Sequence, residues 1–291
     1  MLAIDKFRLK ILQRTATVKS FKGSWEKWFG ILDGYMPDNA DGQRVFNFGN
    51  HISEMFQANA VGGRQQSALS GGGAAWECLV EWYLNLVFWG TPVIVARQNK
   101  AHIPNVLFDA LSVTISNNTT NSESDIVVFS VPNSAQLTKL SLSDINELIT
   151  DSPKETDLSV VQCKTNWNDN AQIPMLWDLI YNSSGFNRIR NVSVGINGVN
   201  PDSFRTFSYA FVTVPTIKKM PKPNAVAVLR VKNLTGGNYW GKATLPSIAS
   251  SLNEYFGRNF SHHFIGGVQQ HITRQIGLEP SLVHKFKTLD F

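Results

Sequence analysis

Apolar residues recur along this chain at two spacings, and each spacing predicts a different kind of element. In the N-terminal part the spacing is helical, which predicts amphipathic helices over about 3–12, 24–31 and 51–60. A glycine- and serine-rich run then precedes a longer and more apolar helix, expected over about 74–88. The first part of the chain is therefore expected to be mainly helical.

Short apolar runs in the rest of the chain have the length and composition of buried strands. They fall at 92–97, 125–131, 158–164, 192–196, 207–214 and 225–231. Helices are expected at 143–149 with Ser143 as the N-cap, at 170–181 and at 246–256. This order predicts an α/β fold in which a mixed central β-sheet is flanked by helices.

The length of 291 residues suits one large domain. We expect a single domain over 1–291, with a helical portion over about 1–65 and a core over about 70–232. The most apolar stretch, 78–96, contains Glu81 and is interrupted at Gly90-Thr91-Pro92. It is therefore expected to be a buried helix followed by a buried strand, with no membrane span.

Composition narrows the class of protein only a little. Cys78 and Cys163 are too few for a disulfide framework and are expected to be reduced thiols of a cytosolic protein without a signal peptide. The formal net charge of +5 favours a polyanionic partner, although ordinary solvated lysines explain such an excess equally well. No Cys-x-x-Cys, P-loop or Gly-x-Ser-x-Gly motif is present in the sequence, which argues against zinc, nucleotide-driven and serine-hydrolase chemistry.

Two of the predicted strands carry candidate chemistry at their ends. Asp125 opens one apolar strand, and Lys164 closes another, with Gln162 two residues before it. Alternation along a strand puts Gln162 and Lys164 on one face. If the two strands are neighbours, these three side chains converge at one sheet edge. There a carboxylate can hold Mg²⁺ beside a phosphate, and the ammonium can orient or deprotonate the attacking water.

Three local segments resemble motifs of the PD-(D/E)xK nuclease superfamily, in particular type II restriction endonucleases, over about 71–181. Ser124-Asp125 stands at the position of Pro-Asp, and Gln162-Cys163-Lys164 stands at the position of Glu-x-Lys. The segment 72–77 is similar to the small-residue opening of the preceding helix, which ends on an aromatic residue and Glu77. In that family this glutamate lies close to the metal site or supports it.

The resemblance implies a restriction-endonuclease-like fold and a Mg²⁺-dependent enzyme that hydrolyses phosphodiester bonds at a specific double-stranded DNA sequence. It also implies a cytoplasmic protein of a bacterial or archaeal restriction–modification system. A homodimer is expected, because its two-fold symmetry matches that of a palindromic site. Asp125 is the expected metal ligand, and Lys164 is expected to position the attacking water.

The chain departs from the family pattern at Gln162, which can offer a metal only a neutral amide oxygen. A second acid is therefore expected from elsewhere. Asp178 is one candidate, because some members of the family carry this acid on the helix that follows the lysine. Glu77 is the competing source, and the sequence leaves the choice open. The first acid is Glu123 in place of Asp125 if the strand register slips by two.

Hydrogen-bonding side chains are dense after Lys164 and are expected to contact DNA bases, as the same segment does in restriction enzymes of this type. These residues are Asn166, Asn168, Asp169, Asn170 and Gln172. Arg188 and Arg190 are expected to contact phosphates. A plain loop with a helix cap explains the same composition.

Two other functions remain open. One is a different DNA nuclease of the same fold, such as a repair or junction-resolving enzyme. The other is a catalytically inactive DNA-binding protein, because Gln162 weakens the motif.

Overall fold

The computed structural model describes residues 1–58, 72–121, 124–134, 137–165, 172–182, 191–214 and 221–291. The helices are α1 (Ala3–Thr17), α2 (Lys19–Lys22), α3 (Trp25–Tyr35), α4 (Gly42–Phe48), α5 (Ile52–Gln57), α6 (Gly72–Val87), α7 (Asn105–Leu111), α8 (Leu142–Asp151), α9 (Gln172–Asn182), α10 (Val226–Lys232), α11 (Leu252–Asn259), α12 (Gly267–Leu278) and α13 (Leu282–Lys285). The strands are β1 (Val93–Arg97), β2 (Ser112–Ile115), β3 (Asn118–Asn121), β4 (Ile126–Ser130), β5 (Asp157–Lys164), β6 (Val192–Val194), β7 (Thr206–Thr213) and β8 (Gly237–Tyr239).

The main sheet has five strands in the order β1-β4-β5-β7-β8. The pairs β1–β4 and β4–β5 are antiparallel, whereas β5–β7 and β7–β8 are parallel. A smaller antiparallel sheet has the order β3-β2-β6. Helices pack on the main sheet, so the predicted α/β fold with a mixed, helix-flanked sheet is confirmed.

Both faces of the main sheet are buried, which explains why its strands read as continuous apolar runs. On one face Val161 and Cys163 of β5 join the cluster that contains α6. On the other face Leu158 and Val160 join the cluster beneath α7 and α8. The predicted alternation along β5 is therefore confirmed, with Val161 and Cys163 directed into the core.

Residues 78–96 form the end of α6, a break at Gly90 and then β1. Gly90 has a φ of 77°, a conformation that a residue without a Cβ adopts readily. Among the described helices, none combines the length and apolar character needed to cross a membrane. The predicted buried helix and strand are confirmed.

Three expectations about elements were wrong. Residues 225–231 form helix α10 and not a strand, because short apolar runs fit both periods and here Val228 and Val231 are buried one helical turn apart. Helix α8 is capped by Ser141 and not Ser143, since Ser141 accepts a hydrogen bond from the Asp144 backbone. The helix expected at 246–256 begins only at Leu252.

Asp157, the first residue of β5, anchors the end of the sheet opposite Lys164. Its buried carboxylate accepts hydrogen bonds from Arg205 and Thr206 and lies 2.8 Å from Nε2 of His263. Burial alone would raise the pKa of Asp157, but the hydrogen bonds from Arg205, His263 and Thr206 hold it well below its ordinary value of 3.8. The ionised carboxylate therefore stabilises the fold.

We expect Asp157→Asn to lower the free energy of unfolding at neutral pH by about 2–3 kcal/mol, because Arg205 and His263 lose their anionic partner. The pKa of Asp157 is lower in the folded protein than in the unfolded chain. The ionised carboxylate therefore stabilises the fold at pH values above the unfolded-state pKa, and this stabilisation is lost as the pH falls towards the folded-state pKa. The difference from wild type, measured by urea unfolding, should therefore shrink below about pH 4. The exposed Asp202→Asn is the control, and an equal effect at all pH values would contradict the prediction.

Candidate functional site

Asp125 lies immediately before β4, where the β4–β5 register brings it beside Gln162. Ile126 pairs with Val161, so Asp125 comes next to Gln162 in the ladder. Its Oδ2 accepts hydrogen bonds from Gln162 Nε2 at 2.6 Å and from the Cys163 backbone at 2.7 Å. Its backbone carbonyl accepts from the Gln98 N–H, which follows β1. The carboxylate is therefore held by β5, and the backbone of Asp125 is fixed on the other side by the residue that follows β1.

Lys164 ends β5 on the same side of the sheet. Its Nζ lies 4.0 Å from Asp125 Oδ2, and its side chain is 18% exposed. The Lys164 carbonyl accepts hydrogen bonds from the Val214 backbone and the Thr213 hydroxyl, which fix the strand end. The predicted convergence of Asp125 and Lys164 on neighbouring strands is confirmed.

Glu77 brings a second carboxyl group to this place from α6. The side chain is half-buried, and burial raises the pKa of Glu77 to about 7, with the nearby Asp125 carboxylate adding to the rise. The positive charges of Arg97 and Lys164 act in the opposite direction. Glu77, Asp125 and Lys164 therefore share one electrostatic environment.

Buried contacts one helical turn further along fix the position of α6. Glu81 accepts hydrogen bonds from the Arg97 backbone at 2.7 Å, from Arg97 Nε at 2.9 Å and from the Thr15 hydroxyl at 2.6 Å. The neighbouring Trp76 is fully buried. Because residues four apart share a helix face, this anchoring of Glu81 directs Glu77 towards the end of the sheet.

Asp125 and Glu77 line a surface cleft of about 260 Å³. Its other lining residues are Arg97, Gln98, Asn99, His102 and Ser124. Arg97 was not among the candidate site residues, although it closes an apolar strand as Lys164 does, and that signal was available. His102, whose pKa is lowered to about 4 chiefly by burial, had no sequence signal.

Gln162 does not offer an oxygen to this cleft, which corrects the expectation that it is a metal ligand. Its side chain is fully buried. Oε1 accepts a hydrogen bond from the Tyr209 hydroxyl at 2.7 Å, and Nε2 donates to Asp125. An ionised carboxylate only accepts hydrogen bonds, so the amide nitrogen has to face Asp125. Gln162 therefore holds Asp125 in place.

Asp178 does not join the cluster either, which corrects its expected role as the displaced acid. Its carboxylate accepts hydrogen bonds from the Thr235 backbone and hydroxyl, and from Asn182. Thr235 in turn accepts from the Tyr209 backbone, on the side of β7 that faces away from β5. Strands β5 and β7 therefore separate Asp178 from Asp125, and Glu77 is the second acid that the structure brings to the site.

The predicted DNA-contacting residues fall mostly outside the described ranges. Asn166, Asn168, Asp169, Asn170, Arg188 and Arg190 lie there, as does Glu123. Gln172 is described, and it is exposed at the start of α9. The recognition role of these residues stays a prediction.

The donor set fits one hard divalent cation. Mg²⁺ is commonly held by one or two protein carboxylates, with water and substrate phosphates completing its shell. Within the described parts of the chain, no group of three or more His, Cys, Asp or Glu residues gathers at a metal-binding distance. Asp125 and Glu77 line the same cleft. Burial is the main reason that the pKa of Glu77 is raised, and the Asp125 carboxylate adds a repulsion that a cation would relieve.

Comparison with known protein families and with curated proteins finds no match for this chain. The site itself is therefore the basis for a functional assignment.

Proposed function

We propose that this protein is a Mg²⁺-dependent type II restriction endonuclease that acts on double-stranded DNA as a homodimer. One observation carries the proposal: an acid just before one strand, a lysine at the end of the neighbouring strand and a glutamate on the preceding helix lie at one end of the sheet. Lys164 Nζ lies 4.0 Å from Asp125 Oδ2. Both charges act on the pKa of Glu77: the Asp125 carboxylate raises it and the Lys164 ammonium lowers it. These are the three segments on which the resemblance to PD-(D/E)xK nucleases rests.

Each residue has a role that follows from its contacts. Asp125 and Glu77 would hold Mg²⁺, which when bound would polarise the scissile phosphate and lower the pKa of the attacking water. Lys164 orients the attacking water, because its ammonium lies 4.0 Å from the Asp125 carboxylate. Gln162 takes no part in metal binding and fixes the orientation of Asp125.

The purified protein incubated with plasmid DNA and Mg²⁺ tests this function. Discrete fragments that EDTA abolishes are the expected result. Smears or structure-dependent nicks would indicate the other nucleases of this fold, and binding without cleavage would indicate an inactive DNA-binding protein. Size measurement with and without DNA tests the homodimer.

The segment after Lys164 is predicted to read base edges. Replacing one bidentate contact among Asn168, Asp169 and Asn170 by Ala should cost about 1–3 kcal/mol of discrimination and relax one position of the recognition site. Competition binding in Ca²⁺ against single-base variants of the cognate site measures this. Arg188→Ala or Arg190→Ala should instead weaken all sequences alike and reduce the salt dependence.

If the Ala variants of Asn168, Asp169 and Asn170 all keep wild-type discrimination, the segment is a helix cap and the recognition prediction is wrong.

A further inference from the structure

A second cleft, of about 240 Å³, lies beside β8, the last strand of the main sheet. Its walls come from the end of α10, from β8, from the loop 247–250 and from α11. They are mainly polar, and they include two cationic and two hydroxyl side chains. The lining residues are Lys232, Asn238, Ser247, Ile248, Ala249, Ser250, Glu254 and Arg258.

The cations of this cleft are available to a ligand. Lys232 and Arg258 are exposed, and neither has a hydrogen bond or an ion pair within the part of the chain that the structure describes. Arg258 lies over the backbone of Gly237, where an added Cβ would approach its Nη1 to 2.7 Å. Gly237 has a φ of 76°, so glycine there both permits the backbone turn and leaves space for the guanidinium.

One acid, Glu254, also lines this cleft, and its carboxylate already accepts a hydrogen bond from the protein. The Glu254 carboxylate accepts a hydrogen bond from the Ser251 backbone at 2.7 Å, within the capping box of α11. The pKa of Glu254 is lowered, chiefly by this hydrogen bond. The two cations therefore exceed the acid by one charge, which favours an anionic ligand.

The sheet register relates this cleft to the two carboxylates. Asp125 stands beside Gln162, which pairs with Phe211, which pairs with Asn238 in the cleft. These four positions form one row across four strands. Neighbouring strands are about 4.8 Å apart, so the two ends of the row are about 14 Å apart. The major groove of B-DNA is about 12 Å wide, so phosphates on one duplex are spaced on that scale.

We infer that Arg258 and Lys232 bind a phosphodiester group of the DNA outside the bond that is cleaved. This inference rests on the function proposed above, and it assigns a separate task to the β8 edge. The guanidinium of Arg258 can donate two parallel hydrogen bonds to phosphate oxygens, and Lys232 adds a point charge. This contact is made to the DNA backbone, so it does not distinguish one base sequence from another.

The test compares Arg258→Gln and Lys232→Gln with the matched control Lys139→Gln, an exposed residue beyond the opposite end of β4. Duplex DNA affinity is measured in Ca²⁺ over a salt series. Each cleft variant should lower affinity roughly threefold to tenfold at about 0.1 M salt, for every sequence, and reduce the salt slope by at most about 0.9, the value for one phosphate. The control should match wild type.

Glu254→Gln is expected to change DNA affinity in the opposite direction. Glutamine retains the capping-box geometry but removes the negative charge, so affinity for DNA should rise. A general loss of folding cannot produce this result. If wild type binds DNA and the two cleft variants behave as Lys139→Gln does, the phosphate site is overturned and the proposed function stands. If wild type binds no DNA, both are overturned.

Discussion

Lys164→Ala is expected to reduce Mg²⁺-dependent DNA cleavage by roughly 10²–10⁴-fold, because the ammonium that orients the attacking water is lost. The side chain lies at the sheet edge and is partly exposed, and its nearest charged partner is Asp125. Its removal should therefore leave the fold intact. Specific DNA binding should change little, since the base contacts are predicted to lie after this residue. Single-turnover cleavage and binding in Ca²⁺ measure the two effects separately.

The exposed Lys139→Ala is the matched control and should cleave as wild type does. A Lys164→Ala protein that cleaves within about tenfold of wild type would remove Lys164 from the mechanism.

Asp125→Asn and Glu77→Gln are each expected to reduce cleavage by roughly a thousandfold or more, because each removes a carboxylate ligand of the proposed Mg²⁺.

Burial raises the pKa of Glu77 to about 7, so its proton competes with the cation below that pH. Added Mg²⁺ should raise the melting temperature of wild type at pH values above about 7 and much less below about 6. Glu77→Gln should show no such rise.

The metal-free protein provides a check on folding for Glu77→Gln. A carboxyl with a raised folded pKa destabilises the fold where it is ionised, so the variant should be more stable than wild type above about pH 7 and similar to it below about pH 4.

Asp178→Asn is the control that distinguishes Asp178 from Glu77 as the second carboxylate ligand of the proposed Mg²⁺. Asp178 accepts from the backbone and hydroxyl of Thr235 and stands two strands away from Asp125. Its replacement should lower the free energy of unfolding by about 1–3 kcal/mol but leave the cleavage rate of the folded protein unchanged. Inactivity of folded Asp178→Asn together with activity of Glu77→Gln would reverse the assignment.

The sequence by itself determined the elements that build the candidate site. A long apolar run predicted α6, and short apolar runs predicted β1, β4 and β5. An element that is buried on all sides is a continuous apolar run, and the length of the run distinguishes a helix from a strand. The polar residues at the strand ends, Asp125 and Lys164, stood out for the same reason: an abrupt end of an apolar run marks the edge of a sheet.

The short run 225–231 shows where this reading fails. Alanines and valines alternate over 225–228, which fits a strand, yet Val228 and Val231 are buried as neighbours on one face of α10. Seven residues are too few for the two periods to be distinguished, so packing against α9 and β8 decides the element.

Only the tertiary structure decided which acid accompanies Asp125. Asp178 and Glu77 were equivalent in the sequence, since each lies on a helix next to a candidate strand. The register of β4 on β5 brings Gln162 Nε2 to Asp125, and the Glu81–Arg97 contacts direct Glu77 to the same edge. Such long-range pairings depend on which elements meet in space, and local spacing carries no information about them.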